Sequence, residues 1–454
     1  MPTIQATASL QLDWIIVGGG LSGLATAYVL RKAGHRVRVL EKLQKLDVPA
    51  AGLRVPPNLS KIFKDWIAVM KETGGDFLMM HHEDVHKMLY RLAVEAGVTV
   101  ELGVEVVAVE AGQSDESPEP RVVLASGQVY TADLVVGADG PTSIVRQTAF
   151  DIDDTAEPVG VTVLGGIIPA DAMLKDPDWS SFVLADEWPI FMGPRRSLCC
   201  HPVRAKKEFS VQLFWPNDEA GPDNVGPESW YEVIPTTSID FTPYAPSIQR
   251  LLAMVPFLTR TRFMKRAEEL ENWSDDSGRI VLIGEAAHPW FPGGSHISSM
   301  VVEDAVVFGT LFSHLSDHSQ IGSFLSAYQE LREARTKVVK QEDITNAQLV
   351  MLPYGPDRDA RNANMAPLSR TDDWDEGILK RELDVFAEIF CYEAEDAAEE
   401  WWVDWGRFSQ RAKGQQQQSY QDDHAADAGT HQQMGFMYGA VTSVTGHHSD
   451  DEES

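Results

Sequence analysis

The apolar positions at the start of the chain form short continuous runs separated by a stretch of helical spacing. The run Trp14–Val17 is followed by a glycine-rich turn, by a helical stretch, and then by the run RVRVLE. A strand, a helix and a second strand in this order predict a βαβ unit. Further along, between 151 and about 270, the segments VTVLGGIIPA, SLCCHPV and EFSVQLFW predict strands of a second, mainly β region.

Three glycines in GxGxxG spacing occupy the first of these turns. Gly18 permits a tight turn, Gly20 lets backbone approach a pyrophosphate, and Gly23 lets the helix pack closely on the strand. The N-terminus of that helix favours phosphate groups. Glu41 ends the second strand, where a carboxylate would accept hydrogen bonds from an adenosine ribose. The pattern predicts a dinucleotide site and leaves the choice between NAD and FAD open.

Composition and charge narrow the function classes. A length of 454 residues predicts two domains and a tail. The formal net charge of -30 argues against nucleic acid and anionic membranes as partners. Three cysteines form no disulfide framework, so we expect a reducing compartment, the cytoplasm. The N-terminus has no secretory or transmembrane pattern, and the Gln-rich, acidic segment from about Gly414 predicts a mobile tail.

Two later turns and one further segment extend the pattern. QVYTADLVVGADGPTSIVR ends a strand just before Asp139, and RIVLIGEAAH ends another just before Glu285. With GLRVPPNLSKIF, these segments resemble the single-component (group A) FAD-dependent aromatic hydroxylases, which include salicylate hydroxylase and para-hydroxybenzoate hydroxylase. The resemblance covers about residues 13 to 405, and its late segments MLPYGPDRDAR and FCYEAEDAAEEWW are similar to the C-terminal helices of fungal salicylate hydroxylase-like members.

The resemblance implies an α/β fold. A Rossmann-type FAD-binding domain would carry an inserted antiparallel β-sheet substrate domain and C-terminal helices. The expected division is 1–75 and 76–150 for the first two parts of the FAD-binding domain, 151–270 for the substrate domain, 271–330 for the third FAD-binding part, 331–412 for C-terminal helices, and 413–454 for a disordered acidic tail.

The resemblance also implies where FAD binds. Glu285 stands where relatives carry an Asp that holds the ribityl hydroxyls, and His82 stands where they carry an Arg that contacts FAD. Ile297 replaces a glycine of the relatives, and the helix from about Ser298 would point its positive end at the flavin. The residues expected to contact FAD are Gly18, Gly20, Gly23, Glu41, Gly52, His82, Val106, Asp139, Glu285, Pro292, Gly294, Ile297 and Ser298.

The roles of two sets of histidines can be interpreted in more than one way. His296 either faces the substrate pocket or is a hydrogen-bonded structural residue in a crowded turn. His82 and His86 are one helical turn apart, as metal ligands can be. Neither a third ligand nor a Glu-x-x-His pattern accompanies them, so no metal site is predicted.

The family chemistry, carried over by resemblance, is an oxygenation that uses O2 and a hydride from NADPH or NADH as a transient co-substrate. Arg54 is the first candidate for substrate activation and His201 the second. The Arg and Tyr that activate phenols in fungal relatives are replaced here by Gly165 or Gly166 and by His201. This favours a neutral, electron-rich aromatic or alkenyl substrate, such as an indole or a polyketide- or terpenoid-derived ring of secondary metabolism.

Two other classes of flavoprotein share the glycine fingerprint. A flavin-dependent halogenase would carry a Trp-x-Trp-x-Ile-Pro signature, which this chain lacks. A non-oxygenating flavoprotein, such as a dehydrogenase or a cyclase that uses FAD as a scaffold, stays open because of the replacements at His82, Glu285 and Ile297. Either a monomer or a homodimer is expected.

Overall fold

The computed structural model of the protein describes residues 7–46, 51–66, 78–113, 117–152, 155–185, 187–216, 229, 232–266, 270–366 and 388–406. The chain up to Trp401 forms one compact unit, and a second unit begins at Trp402. The described part of the second unit is a π-helical turn, Trp402–Gly406. The tail predicted for 413–454 lies outside the described residues, and the predicted domain boundaries stay predictions.

The elements are numbered in chain order. The strands are β1 (Asp13–Val17), β2 (Arg36–Glu41), β3 (Gly52–Val55), β4 (Leu78–His81), β5 (Thr99–Leu102), β6 (Val106–Glu110), β7 (Arg121–Leu124), β8 (Val129–Thr131), β9 (Leu134–Gly137), β10 (Ala156–Pro169), β11 (Ile190–Gly193), β12 (Arg196–Val203), β13 (Glu208–Pro216), β14 (Glu232–Pro235), β15 (Phe257–Arg266) and β16 (Ile280–Leu282). The α-helices are α1 (Leu21–Lys32), α2 (Pro57–Trp66), α3 (His82–Glu95), α4 (Ile144–Ala149), α5 (Ala170–Met173), α6 (Ser180–Leu184), α7 (Pro246–Ala253), α8 (Ile297–Ser313), α9 (Ile321–Val350), α10 (Pro356–Met365) and α11 (Ala394–Trp401). Among the described helices, none has both the length and the apolar character needed to cross a membrane.

A parallel sheet in the order β16-β9-β1-β2-β5 forms the Rossmann-type layer. Its central strand, β1, pairs in parallel with β2 and β9, so that Ile16 lies between Val39 and Val136. All three of these side chains are buried, as expected for a parallel strand covered on both faces. The βαβ unit predicted from the apolar runs is confirmed.

Helix α8 is the buried centre of the helical layer. It begins at Ile297, one residue before the predicted start, and is buried from Ser298 to Ser313. A helix that is apolar on all sides is typical of a protein core. Gly309 lets helix α1 approach closely, because a Cβ atom at this position would lie 2.6 Å from the side chain of Val29.

The second sheet is antiparallel, in the order β11-β12-β13-β10-β15-β14. The three segments predicted as strands lie in β10, β12 and β13, which confirms that prediction. Because alternate residues of a strand point to opposite faces, the neighbours Cys199 and Cys200 point apart. Cys200 packs with Leu198 in the core under helices α5 to α7, whereas Cys199 packs with Phe214 and Phe291 on the opposite face.

An ionic cluster lies inside the helical layer. Glu303 and Asp304 in α8 are fully buried, and Arg332 of α9 donates to Glu303 at 2.8 Å and to Asp304 at 2.7 Å. Arg335 lies 3.4 Å from Glu303. Burial would raise the pKa of Asp304, but the charges of His288 and Arg332 outweigh it and lower this pKa. Two buried carboxylates therefore face two guanidinium groups.

We expect Arg332→Met to lower the free energy of unfolding by about 3–5 kcal/mol, because it leaves two buried carboxylates without their main partner. Lys337→Met is the matched control, since Lys337 lies on the same helix in an exposed pair with Glu333; it should cost less than about 0.5 kcal/mol. Urea unfolding followed by circular dichroism measures both. Equal losses in the two variants would contradict the prediction.

Candidate active site

The glycine loop after β1 has the geometry of a dinucleotide site. Gly18 has a φ of +104°, and a Cβ atom there would overlap the carbonyl group of Ala138. A Cβ atom at Gly23 would overlap the carbonyl oxygen of Gly18. Gly20, in contrast, borders open space and begins α1 without a side-chain cap. The space and the unused N–H groups at the N-terminus of α1 fit the pyrophosphate of FAD.

Glu41 at the end of β2 is bound to the glycine loop. Its Oε2 atom accepts the N–H of Gly19 at 2.6 Å, and its Oε1 atom accepts the N–H of Leu43 at 2.8 Å. A carboxylate has about four acceptor positions, so both oxygens can still accept a ribose hydroxyl. Glu41 thus shapes the loop, and its contact with the ribose stays a prediction.

His82 begins helix α3 and stacks on His86, with ring centroids 6.4 Å apart. The Nε2 atom of His86 lies 2.6 Å from the carbonyl oxygen of Gly19, which links α3 to the glycine loop. Burial, and after it the neighbouring His86, lowers the pKa of His82 to about 4. His82 is therefore neutral at pH 7 and cannot supply the positive charge that the Arg of relatives would bring to FAD.

Asp139 lies shortly after β9, and Val106 is the first residue of β6. The carboxylate of Asp139 accepts the hydroxyl of Ser143 at 2.5 Å and the N–H of Val145 at 3.1 Å, so it caps the start of α4. Burial raises the pKa of Asp139. Val106 is buried at the start of β6, opposite Leu124. Asp139 thus fixes the start of α4, Val106 packs in the sheet β6-β7-β8, and their contacts with FAD stay predictions.

The turn after β16 is a 3₁₀ turn, Gly284–Ala286, that is attached to helix α8. Asp304 accepts the N–H of Gly284 at 3.1 Å and the ring N–H of His288 at 2.5 Å, on the same oxygen. The sequence interpretation missed Asp304. Glu285 is partly exposed on this turn, and its predicted role toward the ribityl chain is not tested by these contacts.

The next turn, residues 290–296, is attached to helix α9 by Asp343, which the sequence interpretation also missed. Asp343 accepts hydrogen bonds from Trp290 Nε1, from the backbone N–H of Ser295 and from His296. Of the two alternatives for His296, the structure shows the hydrogen-bonded one. Pro292 and Gly294 are buried within this turn, Ile297 follows it as the first residue of α8, and Ser298 donates to the carbonyl oxygen of Arg54 at 2.7 Å.

Arg54 lies in β3 with its side chain buried beneath this turn. Its Nη2 atom donates to the carbonyl oxygens of Gly293 and Gly294, the latter at 3.3 Å. Its guanidinium carbon lies 4.9 Å from the ring centroid of Trp188. Among the described residues, no partner accepts from its Nε and Nη1 atoms, and no carboxylate forms an ion pair with it. Burial lowers the pKa of Arg54.

His201 faces Arg54 from strand β12. Its ring is buried, and neither ring nitrogen has a hydrogen-bond partner in the described part of the chain. Burial and then the charge of Arg54 lower the pKa of His201 to about 3, so the ring is neutral at pH 7. Gly52 makes this approach possible, because a Cβ atom there would overlap the His201 ring and the hydroxyl of Ser210.

Arg54 and His201 border one small cavity of about 20 Å³, enough for one water-sized group. Strand register places Cys199, Gln212 and Gly165 side by side on the sheet wall of this cavity. Gly52, predicted to contact FAD, forms part of the same wall. The two candidate catalytic residues, which are 147 positions apart in the chain, thus meet at one place.

A cluster of possible metal ligands is formed by His81, Glu83 and Asp84, and strand register places His81 opposite Gly52. The guanidinium of Arg204 already binds both carboxylates, at 2.6 Å from Glu83 and 2.9 Å from Asp84. Arg204 also begins a hairpin turn in which three successive residues, 204 to 206, have positive φ. These ion pairs hold a strained turn, and Arg204 already binds carboxylate oxygens that a metal would need.

Gly52→Ala should destabilise the protein by about 1–3 kcal/mol, the usual range for an overpacked site, because the new methyl group displaces His201 or Ser210. Gly322→Ala is the control, since a Cβ atom at Gly322 meets open space. The control should be neutral or slightly stabilising. The midpoints of thermal unfolding of the two variants test this prediction. An unchanged midpoint in Gly52→Ala would contradict the close packing of Gly52 against His201 and Ser210.

Stability should fall when the pH falls from about 6.5 toward 4. The unfolded chain binds protons at His82 and His201 near pH 6.5, while the folded chain binds them only near pH 4 and 3. Each of these two histidines therefore contributes a slope of up to about 1.4 kcal/mol per pH unit in this window. His201→Gln should flatten the slope, and the exposed His318→Gln should not. The slopes are obtained from the midpoints of urea unfolding at pH 7 and pH 5. Equal slopes for wild type and His201→Gln would contradict the prediction.

Two family sequence models match the chain. The one described as an FAD binding domain matches residues 65–343, which is more than half of the chain. The one described as an NAD(P)-binding Rossmann-like domain matches residues 16–48, which contain the glycine loop.

Curated relatives cover most of the chain at low identity. FAD-dependent monooxygenase OpS4 of Beauveria bassiana (strain ARSEF 2860) is 24% identical over 78% of this chain and 89% of its own. Hispidin-3-hydroxylase of Neonothopanus nambi is 26% identical over 74% and 89%. The 3-hydroxybenzoate 6-hydroxylase of Klebsiella oxytoca is 27% identical over 71% and 84%.

Solved structures share the fold. CtdE in complex with FAD and a substrate superimposes with a TM-score of 0.68 at 16% identity, over 87% of this chain and 98% of that one. A salicylate hydroxylase substrate complex gives 0.64 at 19% identity, over 86% and 97%. These likenesses confirm the predicted α/β architecture with its added antiparallel sheet. The chain belongs to the FAD binding domain family and is a flavoprotein oxidoreductase of the FAD-dependent monooxygenase class, with FAD as its cofactor.

Proposed function

We propose that this flavoprotein uses NADPH or NADH and O2 to oxygenate an electron-rich aromatic or alkenyl small molecule at the cavity between Arg54 and His201. The observation that supports the proposal is the pairing of a buried cation with a buried neutral imidazole. Both have hydrogen-bonding atoms that no described residue uses, and both face one cavity. Such atoms are costly to bury unless a ligand or water binds them.

Arg54 is proposed to donate hydrogen bonds to a substrate oxygen and to stabilise charge that develops there as the oxygen atom is transferred. Its Nη2 atom is bound to the turn at Gly293 and Gly294, which holds the guanidinium in place while Nε and Nη1 remain available to the cavity. A donor fixed in advance at the point where charge develops acts without reorganisation. An arginine also keeps its charge at any working pH.

His201 is proposed to orient the substrate by a hydrogen bond. Its pKa of about 3 keeps it neutral, so one ring nitrogen donates and the other accepts. The adjacent guanidinium of Arg54 opposes a second positive charge at this place. His201 therefore acts as a neutral partner and not as a source of charge.

The size of the cavity indicates which part of a substrate it takes. A volume of about 20 Å³ accepts a single substituent such as a hydroxyl, carbonyl or ring N–H group. The ring itself would lie at the mouth, where Trp188 covers Arg54. This supports an indole or a polyketide- or terpenoid-derived ring that carries one polar group.

FAD, bound at the glycine loop formed by Gly18, Gly20 and Gly23 and near the turn before α8, would supply the electron transfer and the activation of O2. The protein side of the chemistry is to exclude water and to hold the substrate ring in one orientation. The apolar wall that packs Phe214 against Phe291, with ring centroids 5.6 Å apart, supports water exclusion beside the cavity.

The relatives support an aromatic substrate. The names of two of them specify hispidin and 3-hydroxybenzoate, and several others are fungal FAD-dependent monooxygenases. A role in fungal-type secondary metabolism is proposed on this basis. The cytoplasmic location and the monomeric or dimeric state remain predictions from the sequence.

The proposal is tested by supplying candidate rings to the FAD-loaded enzyme and measuring NADPH oxidation, O2 uptake and product together. We expect substrate-dependent consumption of NADPH and O2 in equal amounts. NADPH-independent conversion or conversion without O2 uptake would instead support a scaffold or dehydrogenase function for the flavoprotein.

Arg54→Gln should lower product formation by roughly 10² to 10³-fold while FAD content stays nearly normal, because one fixed donor is lost. NADPH oxidation should continue, with hydrogen peroxide released in place of product. Arg250→Gln, which removes an arginine that is half exposed on the same antiparallel domain, is the control and should retain activity. Normal coupling in Arg54→Gln would remove Arg54 from the site and leave His201 as the candidate.

A further inference from the structure

Three residues from distant parts of the chain meet at the turn before helix α8. Arg54 comes from β3, Asp343 comes from α9, and His296 belongs to the turn itself. All three are at least nine-tenths buried. Buried charges are stable only when opposite charges or hydrogen bonds compensate them, so their arrangement around the turn requires an explanation.

Asp343 makes four hydrogen bonds, and all four donors belong to the segment 290–296. Trp290 Nε1 donates at 2.9 Å, the N–H groups of Ser295 and His296 donate at 3.0 and 3.2 Å, and His296 Nδ1 donates at 2.8 Å. Burial would raise the pKa of Asp343, but these bonds and the charge of His296 outweigh it and lower the pKa. Asp343 is therefore a charged carboxylate that fixes one short turn.

One peptide group of this turn lies between Asp343 and Arg54. The carbonyl oxygen of Gly294 accepts from Arg54 at 3.3 Å, and the N–H of Ser295, in the same peptide group, donates to Asp343 at 3.0 Å. The negative end of this peptide dipole thus faces the cation, and its positive end faces the anion. Hydrogen bonds arranged in such a chain polarise and strengthen one another.

The turn can pass this close only because residue 294 is glycine. A Cβ atom at Gly294 would lie 2.5 Å from Asp343 Oδ2 and 2.8 Å from Trp290 Nε1. Any larger residue would separate the turn from α9 and move the two carbonyl oxygens that hold Arg54. The packing therefore keeps the distance between the carboxylate and the guanidinium short.

His296 contacts Asp343 through one of its two ring nitrogens. The Nε2 atom of His296 is buried and has no partner among the described residues, while its Nδ1–H donates to Asp343. The charge of Asp343 acts on Arg54 and opposes the lowering of its pKa by burial, although no described carboxylate forms a direct ion pair with Arg54.

We propose that Asp343 is a positioning residue for Arg54, which acts through the Gly294–Ser295 peptide group to hold the guanidinium at the cavity and to balance its charge. The role in turnover rests on the function proposed above for Arg54; the charge balance does not. Without Asp343, Arg54 would be a buried cation that attracts small anions from solution. With Asp343, the guanidinium is held for the substrate.

The test uses Asp343→Asn in the FAD-loaded, full-length enzyme, with iodide as the anionic probe. Iodide is titrated against the flavin absorbance at constant ionic strength, with the bulky anion gluconate as the balancing salt. We expect Asp343→Asn to bind iodide roughly tenfold or more tightly than wild type, because an opposing charge is lost in a medium of low dielectric constant. Glu342→Gln, which removes the neighbouring carboxylate on α9 that pairs with Asn346, should bind iodide like wild type.

A double variant separates positioning from simple structural support. In Arg54→Gln/Asp343→Asn the gain in iodide affinity should disappear, and uncoupling should be no greater than in Arg54→Gln alone, because coupled residues are not additive. Additive effects, or an iodide affinity in Asp343→Asn equal to that of wild type, would overturn the proposal. Because iodide binding needs no turnover, this result is independent of whether NADPH and O2 are consumed.

Folding provides a second route if Asp343→Asn is insoluble. An uncompensated cation would then be the cause, so removing the cation in the double variant should restore soluble, FAD-binding protein. Restoration supports charge balance between the two residues. Failure of both variants, while Arg54→Gln alone folds, would show that Asp343 only holds the turn and would overturn the proposal.

Discussion

The structure depends on the buried carboxylate pair of helix α8. Asp304 binds the turn after β16 through Gly284, and Glu303 accepts a hydrogen bond from Asn58, which follows the segment that carries Arg54. Arg332 binds both carboxylates from α9. Removing one partner from a buried ion pair costs more free energy than removing a hydrogen bond at the surface. The cluster therefore holds together the turn after β16, the segment that carries Arg54 and the helices α8 and α9.

Asp343 is another buried carboxylate that binds a turn, and the turn that it binds contacts Arg54 at the cavity. Asp304 and Asp343 each accept backbone N–H groups of a turn that flanks the expected flavin position, and each does so from a helix. The opposite wall comes from strand register, which brings His201 and Gln212 to the same face of the antiparallel sheet. The cavity thus lies between two elements, the turn that Asp343 holds and the antiparallel sheet, and both are needed to form it.

The sequence predicted the parts of the fold that follow from local pattern. The glycine loop, the βαβ unit and three strands of the second sheet depend on neighbouring residues, and their positions agree with the structure. The partners of the site depend on contacts across hundreds of residues. Asp343 is one of 68 acidic residues in the chain, and nothing local distinguishes it. Asp304 left a signal that was missed, since two adjacent carboxylates within the apolar helix SSMVVEDAVVFGTLF must be buried and paired.

Local burial, and not the overall charge of -30, sets the ionisation of the cavity. Many acidic groups would favour a protonated histidine, yet salt screens exposed charges beyond about 8 Å. At His201 the loss of solvent and the nearby guanidinium act in the opposite direction and are not screened. Arg54 is therefore the one cation among the described residues that line the cavity. Arg54 supplies a fixed positive charge, and His201 is a neutral hydrogen-bond partner. Exchanging the two residue types would bury a charge on the sheet side of the cavity, where the described lining residues include no carboxylate.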